Sequence, residues 1–489
     1  MYLGIDLGTS EVKVVLIDDN GSIVGSAGAP LQVSRPQPRW SEQDPADWWK
    51  AMNSAIHKLR KQCFAHFPLV RGIGLSGQMH GAVLLDSGNR ILRPAILWND
   101  VRSDVECEEL TLRAPALHAI AGNLAMPGFT APKLLWVKKH EPHLFERIAT
   151  VLLPKDYLRL LMTGEKVSDP SDAAGTLWLD VACRDWSDEL LAACQLSRCH
   201  MPGLVEGSAV SGTLLPSVAH EWGLSEKVVV AGGGGDNAAS AVGIGATRPG
   251  DGFISLGTSG VLFVVNDRYR PNPASAVHAF CHAVSQRWHQ MSVMLSAASC
   301  LKWACGITGA ASEGALLEEV AQLPAAACRT APLFLPYLSG ERTPHNDPYA
   351  KGVLFDLGHD TSRAHIGYAV LEGVAFGMAD GLDALRSAGT ETKTLSLVGG
   401  GSRSRYWAQL IADTLNVPIC THHGSEAGAA LGAARLGWLA AGGVEEAVCT
   451  KPPVAALHEP NTAAHEILQA RLAQFRALYR QLKPAFAPH

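Results

Sequence analysis

The alternation of apolar and polar residues takes the same form at two places, almost half a chain length apart. Short apolar runs flank the tetrapeptide Leu-Gly-Thr-Ser at 7–10, and similar runs flank a second copy at 256–259. Apolar runs on either side of a turn of small residues are typical of a β-hairpin. The repeat therefore predicts a duplicated domain with one hairpin in each copy.

The remaining periodicities predict strands and helices that alternate after each hairpin. The segment 165–226 lacks a clear period and is assigned to loops and short helices. The most apolar window, 291–311, contains Lys302 and small residues, which favours a buried helix over a membrane span. Predicted strands are 2–6, 12–17, 22–27, 71–76, 82–86, 228–231, 252–255, 260–265 and 395–398; predicted helices are 45–62, 131–140, 155–163, 296–306, 363–386, 404–416, 427–441 and 463–483.

The length of the chain predicts two domains of α/β class. A chain of 489 residues is too long for one core, and an apolar content of 47% is enough for two. Strand meanders followed by alternating helices and strands, twice over, indicate an α/β fold. The run Ala-Thr-Arg-Pro-Gly-Asp at 246–251 combines proline and glycine just before the second hairpin. We therefore expect domains at 1–246 and 247–489.

Charge and cysteine usage limit the partners and the compartment. The net charge of -5 gives no basic excess for nucleic acid or for an anionic membrane. Eleven cysteines occur without a Cys-x-x-Cys spacing, which argues against a disulfide framework and for a reducing cytoplasm. Met1 leads directly into an apolar strand, with no export signal ahead of it. Small neutral or anionic ligands are the expected partners, and a homodimer is left open.

Glycine-rich turns follow four of the predicted strands. Besides the two hairpins, a run of four glycines at 232–235 precedes Asp236, and a second glycine run at 399–401 precedes Ser402. Glycine lets a phosphate approach the backbone, and a helix that starts there adds partial positive charge. Each turn alone is ordinary turn chemistry. Together the four turns favour a polyphosphate ligand.

Three other motifs are weighed and set aside. The glycines of 72–77 match a dinucleotide fingerprint, but no helix is predicted to open at them. A P-loop is excluded because no Gly-Lys-Ser/Thr occurs. The histidines at 278, 282 and 289, with the cysteine at 281, lack a second ligand pair at metal-site spacing. A packed strand is favoured for them.

Asp236 is the strongest candidate for chemistry. A carboxylate at such a turn can accept a proton from an attacking hydroxyl and lie close to a metal. The alternative is a purely structural role as a helix N-cap. Asp6, at the end of the first strand, is the natural partner for Mg2+ through water, or else a turn residue. Lys13 could reach a transferring phosphate, or simply face solvent.

Six motifs in this order resemble the FGGY carbohydrate kinases, and within that family they are most similar to members that act on D-xylulose. The resemblance covers residues 1 to about 440. It implies a duplicated ribonuclease H-like fold of the actin and hexokinase superfamily, with the active site between the domains. The motifs are Asp-Leu-Gly-Thr-Ser at 6–10, Gly-Gln-Met-His-Gly at 77–81, Trp-Asn-Asp-Val-Arg at 98–102, and the runs 128–136, 232–237 and 335–344.

The resemblance assigns roles position by position. It implies that Asp236 is the catalytic base, that Asp6 and Asp236 lie near Mg2+, and that the cofactors are ATP and Mg2+. The sugar would be held by Met79, His80, Trp98 and Asn237. The nucleotide would be held by Gly8, Thr9, Ser10 and Lys13 in the first hairpin, Gly257 and Thr258 in the second, and Gly400, Gly401 and Ser402, with Arg405 close to adenine.

The activity that the resemblance implies is transfer of a phosphate from ATP to the 5-hydroxyl of D-xylulose, in D-xylose catabolism. Two alternatives stay open: a relative acting on another ketose or polyol such as ribulose or glycerol, and an actin-like ATPase without sugar dependence. Two residues depart from the family pattern. Glu11 replaces a small residue, and we expect its carboxylate to point away from the phosphates; Asp356 replaces a commoner glycine.

Overall fold

Two seven-stranded sheets form the framework of the protein. The computed structural model describes residues 1–423 and 428–486. In the N-terminal sheet, the strand Gly72–Gly77 pairs in parallel with Val229–Ala231 and, further along, with the short strand Gly234–Gly235. The other strands lie in the order Val210–Thr213, Val229–Ala231, Gly72–Gly77, Tyr2–Leu7, Glu11–Ile17 and Ile23–Pro30. The predicted opening meander is thus confirmed.

The C-terminal sheet repeats this topology and adds one edge strand. Its order is His278–Cys281, Trp288–Met294, Gly260–Asn266, Asp251–Leu256, Thr394–Val398, Ile419–His422 and Val454–His458. In both sheets an antiparallel meander containing the Leu-Gly-Thr-Ser hairpin is followed by two parallel strands and one antiparallel strand. The duplication inferred from the repeat is therefore correct, and each hairpin turn lies at the same end of its sheet.

Helices pack on these sheets, and five separate two-stranded sheets are present besides them among the described residues. The helix Pro45–Gln62 starts where its cap Asp44 accepts the Ala46 N–H at 2.9 Å, with proline as the first helical residue. The other helices of six or more residues are Asp104–Arg113, Thr130–His140, Pro154–Thr163, Asp188–Ala193, Pro216–Trp222, Asp236–Gly243, Ala298–Thr308, Glu313–Ala321, Arg363–Arg386, Arg405–Leu415, Gly428–Ala440 and Thr462–Leu482. The short helices are Leu117–Ala121, Pro142–Phe145, Pro170–Ala173, Ala325–Arg329 and Glu445–Val448. The strand pairs are Glu42–Gln43 with Ala95–Ile96, Val83–Leu85 with Thr150–Leu152, Val167–Ser168 with Gly203–Leu204, Leu179–Asp180 with Asp185–Trp186, and Leu333–Leu335 with Val353–Phe355.

The apolar window 291–311 is not one helix. Its first residues complete the strand Trp288–Met294, which pairs with Gly260–Asn266, and the helix Ala298–Thr308 begins only afterwards. A buried strand and a buried helix are both continuously apolar, so the apolar character of the window could not separate them. The prediction of one buried helix was wrong. No helix of residues 1–423 and 428–486 is both long and apolar enough to cross a lipid bilayer.

Two smaller expectations can be compared with the structure. Asp356 follows the strand Val353–Phe355 with a φ of 70°, in the left-handed region that favours glycine and that aspartate tolerates. This backbone angle explains why a glycine would suit the position. The predicted helix at 427–441 is present as Gly428–Ala440, and residue 427 lies outside the described residues.

The two halves of the chain meet through a helix that crosses between them. The helix Gly428–Ala440 belongs to the C-terminal half but packs on the N-terminal sheet, so closely that a Cβ on Gly4 would lie 1.9 Å from the Ala430 carbonyl oxygen. A Cβ on Gly432 of the same helix would lie 1.7 Å from the Ala239 carbonyl oxygen, in the helix Asp236–Gly243. Backbone-to-backbone contact thus fixes the helix that begins at Asp236.

Candidate active site

Asp6 lies on the face of the N-terminal sheet that looks toward the C-terminal half. It pairs with Lys13 on one neighbouring strand and with Ser76 on the other. Its Oδ1 is buried and has no hydrogen-bond partner among the described residues. Burial raises the pKa of Asp6 to about 6, and the nearby Ser76 hydroxyl and Lys13 ammonium limit the rise. An unpartnered buried carboxylate oxygen indicates a missing ligand.

Asp236 is the first residue of its helix, and Gly235 occupies the N-cap position. The helix-cap alternative is therefore wrong. The Asp236 Oδ1 accepts the Asn237 backbone N–H at 2.7 Å and the Asn237 side-chain amide at 2.9 Å. The pKa of Asp236 is raised to about 7, first by burial and second by the negative charge of Asp6. The sheet brings the two residues near each other, because Ser76 pairs with Asp6 on one side and with Gly234 on the other.

A buried ion cluster lies beneath the turn that carries Asp236. The Ser171 hydroxyl accepts the Gly235 N–H at 3.2 Å and donates to Asp169. The fully buried Lys155 ammonium lies 2.6 to 3.2 Å from the carboxylates of Asp156, Asp169 and Asp172. Sequence reasoning missed these residues, although aspartates spaced along 169–172 near a lysine-bearing helix were visible in the sequence.

Met79 and His80 lie together beside this turn. The Met79 sulfur packs against Gly235, where a Cβ would come within 2.7 Å of it. The His80 Nδ1 lies 2.6 Å from the Gly175 carbonyl oxygen, which can only accept, so Nδ1 carries the proton and Nε2 is an acceptor. Burial lowers the pKa of His80 to about 3. A neutral imidazole therefore faces the site.

Lys133 holds His80 in an unusual backbone conformation. His80 has a φ of 69°, which is uncommon for a residue other than glycine. The buried Lys133 ammonium donates to the His80 carbonyl at 2.8 Å and to the Gly128 carbonyl at 2.7 Å. The Thr130 hydroxyl donates to the same His80 oxygen at 3.1 Å. Burial lowers the pKa of Lys133 to about 7. Two donors on one carbonyl thus offset the backbone strain.

Trp98 contacts the first hairpin. Its indole N–H donates to the Thr9 hydroxyl at 3.0 Å, and that hydroxyl donates to the Gln78 side-chain oxygen at 3.1 Å. The single Thr9 hydroxyl proton is therefore already used. Gly8 in the same turn is half-buried, and the Ser10 side chain is exposed. Half of the Trp98 surface is exposed as well.

The predicted nucleotide residues of the C-terminal half line two cavities that meet at Gly400 and Arg403, whereas those of the first hairpin line neither. Gly257, Thr258, Gly400 and Gly401 share a cavity of about 840 Å³. Ser402 and Arg405 line the neighbouring cavity of about 690 Å³, together with Asn237. Arg405 is therefore separated from the second hairpin. Residues of the larger cavity that sequence reasoning missed include Ser299, Lys302 and Arg403.

Lys13 and Glu11 alternate with a core valine on one strand and so share the face of Asp6. The Glu11 carboxylate leans over the third strand, where it would lie 3.1 Å from a Cβ on Gly28. Its charge contributes to the raised pKa of Asp6. The Glu11 side chain thus leans over the strand Ile23–Pro30, on the same face of the sheet as Asp6.

Comparison with known proteins identifies the family. The model described as FGGY family of carbohydrate kinases, N-terminal domain, matches residues 1–243, and the corresponding C-terminal domain model matches residues 252–441. The chain belongs to the FGGY family of carbohydrate kinases. It is therefore a phosphotransferase of a family that uses ATP and a sugar substrate.

Individual relatives are similar along the full length. The chain is 52% identical to the xylulose kinase of Escherichia coli strain K12, with 100% of each chain covered. The crystal structure of a xyloylose kinase from Brucella ovis superposes with a TM-score of 0.96 at 53% identity, covering 99% of both chains. The xylulose kinase structure from Rhodospirillum rubrum gives a TM-score of 0.91 at 30% identity, again covering 99% of both.

Proposed function

We propose that the protein transfers the γ-phosphate of ATP to the 5-hydroxyl of D-xylulose, giving D-xylulose 5-phosphate and ADP. The observation that carries the proposal is the 52% identity with curated xylulose kinases over the whole chain. The site agrees with it, because a neutral His80 offers an acceptor to sugar hydroxyls beside a carboxylate with a pKa of about 7. We place the reaction in the cytoplasm, since all eleven cysteines are free thiols.

Asp236 acts as the general base in this proposal. A carboxylate with a pKa of about 7 is a stronger base than an ordinary aspartate and is still ionised in a large fraction of molecules at neutral pH. It would accept the proton of the 5-hydroxyl as that oxygen attacks the γ-phosphorus. Met79, His80, Trp98 and Asn237 would hold the sugar so that this hydroxyl faces Asp236. Positioning and electrostatic stabilisation supply most of the catalysis in phosphoryl transfer.

Asp6 and Asp236 are also the residues that fit Mg2+. Two repelling carboxylates, one with a buried oxygen that lacks a partner among the described residues, match a cation that keeps several of its waters. Mg2+ held there would neutralise charge on the phosphates. Among the described residues no group of three or more His, Cys, Asp and Glu side chains forms a metal site, so water and phosphate oxygens would complete the coordination.

We divide the ligands between the two predicted domains, with the sugar in 1–246 and the nucleotide in 247–489. The family matches, which end at 243 and resume at 252, support this division. In the first hairpin, Gly8, Ser10 and Lys13 would contact the phosphates, while Thr9 acts through its backbone because its hydroxyl is bonded to Trp98 and Gln78. The larger cavity beside Gly257, Thr258, Gly400 and Gly401 suits the nucleoside, and Ser402 and Arg405 would act from its rim.

Substrate preference tests the proposal. In a panel of D-xylulose, L-ribulose, D-ribulose, xylitol and glycerol, we expect D-xylulose to give the highest kcat/KM. The Nε2 atom of neutral His80 is a hydrogen-bond acceptor. A site with such an acceptor distinguishes sugars by whether one of their hydroxyl groups can donate to it. Coupled detection of ADP at saturating ATP measures each value. A tenfold advantage of glycerol or of either ribulose, about 1.4 kcal/mol in transition-state binding, would assign a different substrate.

The dependence on pH tests the carboxylate pair. Only ionised Asp236 can act as the base, so kcat/KM should fall as the pH drops through about 7. Replacing Asp6 with Asn removes a negative charge next to Asp236, which lowers the pKa of Asp236 in the free enzyme without Mg2+, the state whose ionisations kcat/KM reports at subsaturating MgATP. In Asp6→Asn the acid limb of the kcat/KM profile, where kcat/KM falls with falling pH, should therefore move to lower pH, even though the activity is reduced. In the exposed, remote variant Asp360→Asn it should stay in place. An acid limb that is unmoved in Asp6→Asn would contradict coupling between the two carboxylates.

A further inference from the structure

Arg342 lies in the motif 335–344, to which the mechanism above gives no role. The residues on either side of it anchor the backbone to the strand Trp288–Met294. The Glu341 carboxylate accepts the Leu295 N–H at 3.0 Å, and the Thr343 N–H donates to the Val293 carbonyl at 3.1 Å. The Thr343 hydroxyl also donates to the Ala276 carbonyl at 3.0 Å. The direction of the Arg342 side chain is therefore fixed by its neighbours.

The Arg342 guanidinium has no carboxylate partner among the described residues. Its one side-chain contact there is with the His278 Nε2, at 3.4 Å. Asn123 fixes the tautomer of that histidine. The Asn123 amide nitrogen donates to two carbonyls, so its oxygen faces the His278 Nδ1 at 3.0 Å and accepts from it. Nδ1 therefore carries the proton, and Nε2 can accept from Arg342.

A guanidinium with a single neutral partner is costly to desolvate. Burial lowers the pKa of Arg342, because partial removal from water disfavours the charged form of the guanidinium. The contact with His278 uses one of five N–H donors. The other donors have no partner among residues 1–423 and 428–486, and the half-buried side chain leaves them open to an acceptor that enters the site.

Arg342 and His278 adjoin His80, one of the residues proposed to hold the sugar. The His278 ring lies 5.7 Å from the Phe129 ring, which in turn lies 4.5 Å from the ring of His80. The charge of Arg342 contributes to the lowered pKa of both histidines. Arg342 therefore extends from the C-terminal half toward His80, across His278 and Phe129.

We infer that Arg342 binds the carbonyl end of the ketose and sets the preference for a ketose over a polyol; this inference rests on the proposed function. The reacting 5-hydroxyl faces Asp236, so the C1 and C2 oxygens lie at the opposite end of the sugar. A C2 carbonyl oxygen only accepts hydrogen bonds, and a guanidinium only donates them. Xylitol has a hydroxyl at C2, whose own proton has no acceptor on Arg342.

The test compares Arg342→Met and Arg342→Lys with Arg480→Met, which removes an exposed arginine of the C-terminal helix. The quantities measured are kcat/KM for D-xylulose and for xylitol, and KM for ATP. In Arg342→Met we expect kcat/KM for D-xylulose to fall about 10- to 100-fold, as for a lost charged hydrogen bond. The value for xylitol should fall less than threefold, and KM for ATP should stay within twofold. Arg342→Lys should lie between, and Arg480→Met should match the wild type.

Other outcomes overturn the inference. An equal loss for the two substrates in Arg342→Met, or a raised KM for ATP with an unchanged KM for D-xylulose, would make Arg342 a structural or nucleotide residue. If Arg342→Met does not fold, the xylulose-to-xylitol ratio in Arg342→Lys decides by the same criterion. Failure of the proposed function is distinguishable, because the wild-type enzyme would then not prefer D-xylulose in the substrate panel.

Discussion

Replacing Asp236 with Asn is expected to lower kcat at least about 10²-fold, the loss typical of removing a general base. The amide has the size of the carboxylate but cannot accept the proton of the 5-hydroxyl. The variant should remain folded, because it removes a charge that Asp6 repels and Gly235, not Asp236, occupies the N-cap position. Its Tm should equal or exceed that of the wild type. Steady-state kinetics and a thermal melt measure the two quantities.

Asn237→Asp provides a second comparison at the same turn. It keeps the neighbouring carboxylate but removes the amide that donates to Asp236 at 2.9 Å and adds a negative charge. The pKa of Asp236 should then rise, and the acid limb of kcat/KM should move to higher pH.

A folded Asp236→Asn enzyme that retains more than about a tenth of the wild-type kcat would remove Asp236 from the mechanism.

Replacing Gly432 with Ala should destabilise the protein by about 3 kcal/mol, at the upper end of the usual cost of overpacking. The new Cβ would lie 1.7 Å from the Ala239 carbonyl oxygen. Two helix backbones must separate to admit it, because no flexible side chain can move instead. The free energy of unfolding from denaturant titration measures the effect.

Gly306→Ala is the matched control for this substitution. Gly306 also lies inside a helix, Ala298–Thr308, but a Cβ there would meet nothing within 4 Å. Alanine should stabilise that helix by about 0.5–1 kcal/mol, the difference between the two helix propensities. Equal effects of the two substitutions would contradict the close contact between the helices Gly428–Ala440 and Asp236–Gly243.

Features that depend on local sequence could be predicted well. The Leu-Gly-Thr-Ser hairpins, the duplicated topology and the helices Pro45–Gln62 and Arg363–Arg386 follow from periodicity and from local cap and turn residues. Asp6 and Asp236 also stood out, since each lies where a buried strand meets a turn of small residues. That their charges interact could be learned only from the structure.

Features that depend on long-range contacts could not be predicted. The Thr9 hydroxyl looked free for phosphate, but it is bonded to Trp98, 89 residues away. Lys155 lies in a predicted helix, yet its ammonium contacts three buried aspartates under the turn that carries Asp236. Arg342 contacts His278, 64 residues away. No local pattern encodes such pairs, because they arise only when separate elements pack together.

The most direct measurement identifies the product formed from D-xylulose and ATP with the purified protein. Carbon and phosphorus NMR of the reaction mixture distinguish a phosphate ester at C5 from one at C1 and from free phosphate. The proposed mechanism predicts D-xylulose 5-phosphate and ADP in equal amounts, with ATP consumption that depends on the sugar. Free phosphate released at the same rate with and without D-xylulose would indicate an ATPase and contradict the proposed function.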